Sequence, residues 1–203
     1  MKIVETVDLL AVGKFAVSSE WLAACKQVWR AVRATDWPHG SGKFTIHPQS
    51  GKKRGEGNGV LPIKIPCIQK LRDLGWQTEQ FPEIPNGVLQ PGDLDALLKT
   101  RQGLIAFEWE TGNISSSHRA INKLLLTLKW GGIIGGFRVV PSARLKVYLT
   151  DRIGNIGELR PYFALWRDTK IRRRVLQLIV VEQDAESVDV PKIPKMTAGR
   201  ALG

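Results

Sequence analysis

Two glutamates, Glu108 and Glu110, stand two residues apart at the end of an apolar run that begins at Leu104. In a β-strand, residues two apart point to the same face, so these carboxylates would project together. Like charges on a half-buried face repel each other unless a cation is bound. Asp95, and less directly Asp93, could return to the same edge of a sheet. Carboxylate oxygens suit Mg²⁺ better than zinc, so a magnesium site is one interpretation. A strand end with solvated carboxylates is the more ordinary interpretation of Glu-x-Glu alone.

A helix with one polar face is predicted directly after these acids. Ser115, Arg119 and Lys123 recur every four residues, and Asn113 or Ser115 can cap the helix N-terminus. An arginine can donate two hydrogen bonds to guanine in the major groove, and a helix N-terminus favours phosphate. An ordinary amphipathic helix fits the same pattern. The combination favours DNA, because metal ions would reverse the local negative charge and activate water for attack on phosphorus.

The composition agrees with a polyanionic partner. The 203 residues include 30 basic and 19 acidic side chains, which gives a net charge of +11. Such an excess favours DNA, RNA or an anionic membrane surface, and it also fits a merely basic protein. We expect no membrane partner and an intracellular location, because the sequence has neither an apolar run of roughly 18–20 residues nor a signal-peptide pattern.

Cysteine and histidine do not predict a zinc site. Cys25 and Cys67 are far apart and are expected to be core thiols of a reducing compartment, and the three histidines, His39, His47 and His118, lack metal-ligand spacing. An RNA-binding protein is disfavoured because the chain lacks exposed aromatic stacking motifs.

The order of elements predicts an α/β fold with a central mixed β-sheet flanked by helices on both sides. We expect one domain over residues 1–203, with a tail from 191 to 203 that is too polar and too broken by Pro and Gly to be core. The basic loop 51–59 is either a solvated loop or an arm that contacts phosphate. The predicted helices cover 21–33, 115–130, 142–150 and 157–166, with another inside 62–74, and the predicted strands cover 44–46, 104–110, 133–140 and 175–182.

Longer motifs carry a family resemblance. Residues 107–126, FEWETGNISSSHRAINKLLL, resemble the active-site strand and recognition helix of BamHI-type type II restriction endonucleases, in the PD-(D/E)XK nuclease superfamily. Residues 148–155, YLTDRIGN, continuing to 158–163, resemble a second family motif. Weaker matches keep the same order from about residue 30 to the C-terminus: 37–38, 44–46, 57–60, 62–64 and 193–195.

The resemblance implies a restriction-endonuclease-like fold and a catalytic site with two Mg²⁺ ions. Glu110 becomes the general base, at a position where most related nucleases carry Lys, and Lys123 lies near the cluster and could contact phosphate. Asp93 falls where the family has no acid. The metal ligands implied by the resemblance, with the first aligned more loosely, are Glu79, Asp95, Glu108 and the backbone carbonyl of Trp109.

The resemblance also implies how DNA is read. Arg119 and Arg152 can address guanine, and Asp151 can accept from a cytosine amino group, although Asp151 and Arg152 alone could be a structural ion pair. Because all the family's base-reading positions are retained, we predict cleavage at GGATCC that leaves a 5′ GATC overhang, with 5′-phosphate and 3′-hydroxyl ends. Those positions are Asn113, Ser115, Arg119, Asp151 and Arg152.

The family assembles as a twofold dimer, so we expect a homodimer on double-stranded DNA. Its interface should involve the C-terminal half of helix 115–130 and the helix near residues 158–166. Lys195 and Arg200 could touch DNA. A prokaryotic cytoplasmic location follows, with a cognate DNA methyltransferase in the host that is not a physical partner. The alternatives are a non-catalytic DNA-binding protein with this fold and a nuclease that recognises DNA structure rather than sequence.

Overall fold

A computed structural model describes residues 1–53, 56–84, 92–110, 112–150 and 153–196. The strands are β1 (Lys2–Ala11), β2 (Thr45–Ile46), β3 (Gln77–Gln80), β4 (Leu94–Lys99), β5 (Leu104–Glu108), β6 (Gly135–Pro141), β7 (Val175–Glu182) and β8 (Ala185–Glu186). The α-helices are α1 (Ser19–Arg33), α2 (Leu61–Asp73), α3 (Ile114–Lys129), α4 (Ala143–Lys146), α5 (Ile156–Leu159) and α6 (Phe163–Arg167). Short 3₁₀ turns cover Lys14–Val17 and Arg160–Tyr162.

Six strands form one mixed sheet in the order β1-β7-β6-β5-β4-β3, and β2 pairs with β8 in a separate two-stranded sheet. Strands β5, β6 and β7 are parallel, whereas β4 runs antiparallel to β5 and β1 runs antiparallel to β7. The parallel strands are buried almost throughout, as expected of strands covered on both faces. The predicted α/β class with a mixed central sheet is confirmed.

Helices cover both faces of this sheet. On one face, α1 packs against the parallel strands, and Trp21 stacks on Phe137 with ring centroids 4.4 Å apart. On the other face, α3 and α6 pack against the sheet through Leu124 and Trp166. Each of these side chains removes enough apolar area from water to stabilise the layer by about 1.5–3 kcal/mol.

Local sequence explains where the main helices begin. The Ser18 hydroxyl accepts the Trp21 N–H at the start of α1, and the Asn113 side chain accepts the Ser116 N–H at the start of α3. Of the two caps considered for α3, the structure therefore uses Asn113. No helix within the described residues is long and apolar enough to cross a membrane.

Several sequence-based boundaries were wrong. The strand predicted for 104–110 ends at Glu108, and the helix predicted for 142–150 is reduced to α4. The helix predicted for 157–166 is divided into α5, a 3₁₀ turn and α6, because Pro161 has no N–H to continue the hydrogen-bond series.

The described part of the C-terminal tail, residues 191–196, contributes to the core, which corrects the expectation for that part; residues 197–203 lie outside the described residues. Ile193 is buried, its N–H donates to Asn58 Oδ1 at 3.0 Å, and its carbonyl accepts the Gly59 N–H at 2.9 Å. One apolar residue among polar neighbours was enough to anchor this segment. The expected burial of the two cysteines is confirmed, because Cys25 and Cys67 are buried free thiols.

Candidate active site

The antiparallel pairing of β4 with β5 brings two carboxylates together. Ala96 pairs with Phe107, so Asp95 and Glu108 lie side by side at the adjacent register position. The Asp95 N–H donates to Glu108 Oε2 at 3.3 Å, and the Trp109 N–H donates to Asp95 Oδ2 at 2.6 Å. Asp95 and Glu108, two of the predicted site residues, are therefore in contact. The backbone N–H of a third, Trp109, is hydrogen-bonded to Asp95.

Two lysines from opposite faces of the sheet pair with these acids. Lys64 on α2 places Nζ 2.5 Å from Asp95 Oδ1. Lys123 on α3 places Nζ 2.6 Å from Glu108 Oε1 and also donates to the Asp93 carbonyl oxygen at 2.7 Å. The predicted proximity of Lys123 to the acids is observed. The role of Lys64 was missed, and its only sequence signal was the weak family match over 62–64.

Glu108 is 4% exposed, and its environment works against its negative charge. Burial raises the pKa of Glu108, and the neighbouring Asp95 carboxylate raises it further. The positive charges of Lys123 and Arg138 oppose this shift but do not cancel it, so the pKa remains above its usual range. A carboxylate in this situation gains from any additional cation.

Arg138 on β6 is a site residue that the sequence analysis did not identify. It is the register partner of Glu108 on the neighbouring parallel strand and is 1% exposed. Burial lowers the pKa of Arg138, while the charges of Glu108, Glu110 and Asp95 act in the opposite direction. These three acids, Asp95, Glu108 and Glu110, are called the carboxylate cluster below. The available sequence signal was an arginine inside an otherwise apolar strand.

Glu110 lies just beyond the end of β5 rather than on the strand. Its Oε1 accepts the Gly112 N–H at 2.9 Å, and its Oε2 is 3.9 Å from Arg119 Nη2. Glu110 thus lies between Glu108 and the start of α3. Its negative charge is close enough to Arg138 to raise the pKa of that arginine.

Glu79 lies on β3 and is exposed. Its neighbours Thr78 and Gln80 pair with Ala96 and Leu94, so Glu79 falls opposite Asp95 in the register. Its φ of 54° is a strained backbone conformation for a non-glycine residue. Across the described ranges, no three His, Cys, Asp or Glu side chains form a group that could hold a metal ion. The predicted ligand roles of Glu79 and the Trp109 carbonyl stay predictions.

The predicted DNA-reading side chains of α3 are exposed. Asn113 and Ser115 lie at the helix start, and the Arg119 side chain is 78% exposed. This surface, which we call the reading face (Asn113, Ser115 and Arg119), borders an open groove of about 620 Å³. Asp151 and Arg152 lie outside the described residues. The groove is lined by Ser115, His118, Arg119, Asn122, Lys123, Leu126 and Tyr162.

The sequence is similar to those of known proteins. Residues 1–200 match the family model described as restriction endonuclease BamHI. The chain is 42% identical to the type II restriction enzyme OkrAI of Oceanobacter kriegii over 176 residues, which cover 87% of this chain and 88% of that protein. It is 34% identical to the type II restriction enzyme BamHI of Bacillus amyloliquefaciens over 186 residues, which cover 87% and 81%.

Solved structures show the same fold at low sequence identity. The restriction endonuclease BglII complexed with a DNA 16-mer superimposes with a TM-score of 0.64 at 12% identity, covering 91% of this chain and 79% of that one. Free BglII superimposes with a TM-score of 0.52 at 11% identity, covering 91% and 81%. The predicted restriction-endonuclease-like fold is therefore confirmed.

Proposed function

Since the chain belongs to the BamHI family of type II restriction endonucleases, we propose that it cleaves double-stranded DNA at GGATCC and leaves a 5′ GATC overhang. The observation that carries the proposal is the contact of the partly buried Asp95 with the buried Glu108, which ends the strand before the reading face of α3. This order along the chain would join a hydrolytic site to a helix that contacts DNA.

The acids of the site suit Mg²⁺. Asp95 and Glu108 offer hard oxygen donors, and the raised pKa of Glu108 indicates a need for positive charge. Glu79, Asp95, Glu108 and the Trp109 carbonyl would hold two ions. Bound Mg²⁺ supplies stabilisation of charge on the phosphate and activation of water.

The chain's own residues would then carry out the proton transfer. Glu110, which lies between Glu108 and α3, would accept the proton of the attacking water. Lys123, now paired with Glu108, would contact the phosphate. In-line attack on phosphorus gives 5′-phosphate and 3′-hydroxyl ends.

Base reading is proposed for the exposed positions. Arg119 and Arg152 would each donate two hydrogen bonds to guanine N7 and O6, and Asp151 would accept from cytosine. Asn113 and Ser115 would complete the half-site. GGATCC is favoured because all five positions match the residue types of the family motif.

A second copy of this chain is proposed to pack on the surface formed by α3 and the 160–167 region. Leu126, Tyr162 and Leu165 expose apolar area there, and Leu165 is 68% exposed. A twofold dimer would match the symmetry of the palindrome. Light scattering at micromolar concentration should give the dimer mass for the wild type and the monomer mass for Leu165→Glu. A monomeric wild type would exclude this interface.

We also place the protein in the prokaryotic cytoplasm, where a host methyltransferase would protect GGATCC without binding this chain. Such a pairing follows from the chemistry, because an unprotected site in the host chromosome would be a substrate.

Digestion of a plasmid of known sequence with Mg²⁺, followed by sequencing of the ends, tests the activity. Cuts at GGATCC with 5′ GATC ends are expected. The inactive control is Asp95→Asn, which removes the carboxylate that lies beside Glu108. Specific binding without nicking at any Mg²⁺ concentration would indicate a non-catalytic DNA-binding protein. Cleavage that follows DNA structure rather than sequence would indicate a different nuclease.

A further inference from the structure

Within the described ranges, two charged side chains are buried, Glu108 and Arg138, and they are partners in the β5–β6 register. Strand β6 otherwise carries glycine, proline and apolar residues: Gly135, Gly136, Phe137, Val139, Val140 and Pro141. A charged residue in the centre of a buried parallel strand is unusual, because a parallel sheet covered on both faces is normally apolar. The placement of Arg138 directly beside the site's most buried acid calls for a functional explanation.

The contacts of the Arg138 guanidinium connect two elements of the site. Its Nη1 donates to the Val139 carbonyl at 2.6 Å and reaches the Glu108 carbonyl at 3.5 Å, and its Nη2 reaches Ser117 Oγ at 3.5 Å. Glu108 ends β5, and Ser117 lies in the first turns of α3, between Ser115 and Arg119. One rigid group therefore lies between the strand that carries the acid and the helix that carries the reading face.

This arrangement is not a simple ion pair. The guanidinium reaches the Glu108 backbone carbonyl, whereas the carboxylate Oε1 is paired with Lys123. Arg138 Nε is buried without a hydrogen-bond partner among the residues that the structure describes. Burial of a guanidinium costs desolvation energy, and removal of Arg138 alone would leave the buried Glu108 carboxylate with one positive charge fewer beside it. The arginine is therefore linked to the acids next to it and not to packing alone.

The cations around the site differ in how firmly they are held. Lys64, Lys123 and Arg138 lie beside the carboxylate cluster, and the exposed Arg119 approaches Glu110 to 3.9 Å. The two lysine side chains are 21% and 14% exposed and hold the acid oxygens that a metal ion would need. Flexible lysines can move to solvent or to phosphate. Arg138 is enclosed and cannot leave.

We propose that Arg138 is a positioning residue for cleavage, which holds the Glu108 end of β5 against α3 and keeps a fixed positive charge behind the carboxylate cluster when the lysines give way to metal. The inference rests on the proposed nuclease function. It has two separable parts. The charge of Arg138 affects cation binding, and its contacts affect the alignment of β5 with α3.

Three variants separate these parts. Arg138→Met removes the charge and the bridge while keeping the volume, and Arg138→Lys keeps the charge without the planar fork. Arg144→Met is the matched control, because Arg144 is an exposed arginine on α4 that pairs with Glu182 and Glu186. Each protein is measured by Mg²⁺ calorimetry without DNA, by metal-free thermal unfolding and by single-turnover cleavage of a GGATCC duplex.

We expect Arg138→Met to bind Mg²⁺ about three- to tenfold more tightly than the wild type, because a neighbouring positive charge is gone. The same variant should cleave about 10- to 100-fold more slowly, since the strand end and the helix are no longer held together. Arg138→Lys should bind Mg²⁺ like the wild type and cleave at an intermediate rate, and Arg144→Met should match the wild type throughout. Tighter metal binding combined with slower cleavage is a result that general loss of packing does not produce.

The inference is overturned if Arg138→Met binds Mg²⁺ and cleaves like the wild type. It is equally overturned if metal affinity, cleavage and melting temperature all fall together, because that pattern describes a purely structural residue. A wild type that binds Mg²⁺ but does not cut DNA at any sequence would instead refute the proposed function, and the calorimetry would still test the charge effect of Arg138.

Discussion

Glu108 and Arg119 lie close in sequence on consecutive elements, yet the structure builds their surroundings in opposite ways. Glu108 is buried, pairs with Lys123 at 2.6 Å and accepts the Asp95 N–H. Arg119 extends into solvent, with a contact of 3.9 Å to Glu110. Fixed contacts therefore hold the Asp95 and Glu108 side of the carboxylate cluster, whereas the reading face has exposed donors that DNA would order.

This difference has a physical basis. Cleavage gains from groups that are already fixed before the substrate arrives, because each preordered group removes part of the entropic barrier. Base reading depends on side chains that exchange water for base edges, so exposed, mobile donors are sufficient until DNA binds. Glu110 is a member of the carboxylate cluster that also lies 3.9 Å from Arg119 of the reading face, so it offers the clearest test of how the two regions divide their roles.

The largest effect is expected for Glu110→Gln. If Glu110 is the general base of the carboxylate cluster, its loss should slow cleavage by about 10²–10⁴-fold, since an amide cannot accept the proton. Affinity for a GGATCC duplex, measured by gel shift in Ca²⁺, should change little. Single-turnover cleavage in Mg²⁺ provides the rate.

The opposite outcome would give Glu110 a role in base reading instead of proton transfer. Loss of specific binding with a normal cleavage rate at saturating protein would indicate that Glu110 mainly orients Arg119, which lies 3.9 Å from its carboxylate. Glu83→Gln is a suitable control, because Glu83 is an exposed glutamate on the segment after β3.

A smaller effect is expected for Arg119→Ala. Loss of a bidentate contact to guanine costs about 1–3 kcal/mol, which corresponds to roughly 5- to 150-fold weaker specific binding. The weak, salt-sensitive binding to unrelated DNA should be nearly preserved, since phosphate contacts elsewhere remain. Fluorescence anisotropy with matched specific and scrambled duplexes at two salt concentrations measures both quantities.

Arg101→Ala is the control for this comparison, because Arg101 is an exposed arginine that pairs with Glu20 at the β4–β5 turn. Equal losses for specific and scrambled DNA in Arg119→Ala would show that Arg119 contacts phosphate and does not read bases.

The same contrast explains what sequence could and could not predict. Strand β5 was predictable as a short continuous apolar run, and helix α3 because its apolar residues recur with a period of 3.6. Strand β1 was not identified, since its alternation is interrupted by register shifts between Ile3 and Glu5 and between Asp8 and Leu10. Local patterns predict local elements well where no bulge interrupts the period.

The partners of the cluster were harder to predict, because they come from distant segments. Lys64 reaches Asp95 from α2, and Arg138 reaches Glu108 from a strand that pairs with β5 only after the intervening helix α3. Neither residue has a local pattern that specifies its role. The prediction that the exposed residues of the reading face contact DNA depended on the family motif, because periodicity alone fits an ordinary amphipathic helix.

The smallest effect concerns stability and follows from the burial of Glu108. Burial and Asp95 raise the pKa of Glu108, so the folded protein holds this proton more tightly than the unfolded chain does. Glu108 therefore favours folding below its unfolded pKa, and this contribution is lost as the pH rises through the raised folded pKa. At neutral pH without metal, the charged carboxylate should oppose folding.

Glu108→Gln should consequently melt at a higher temperature than the wild type at neutral pH, by about 2–4 °C for each 1 kcal/mol of relieved destabilisation. The glutamine carbonyl can still accept a hydrogen bond from Lys123, so the variant does not leave that ammonium without a partner. Calorimetric scans between about pH 5 and 8 without divalent ions should show the gap between the two proteins widening as the pH rises. A variant that melts below the wild type at neutral pH would mean that the Lys123–Glu108 pair outweighs the burial of the charge. The carboxylate cluster would then be stabilised by its own ion pairs, and the burial of Glu108 would not imply a need for an additional cation.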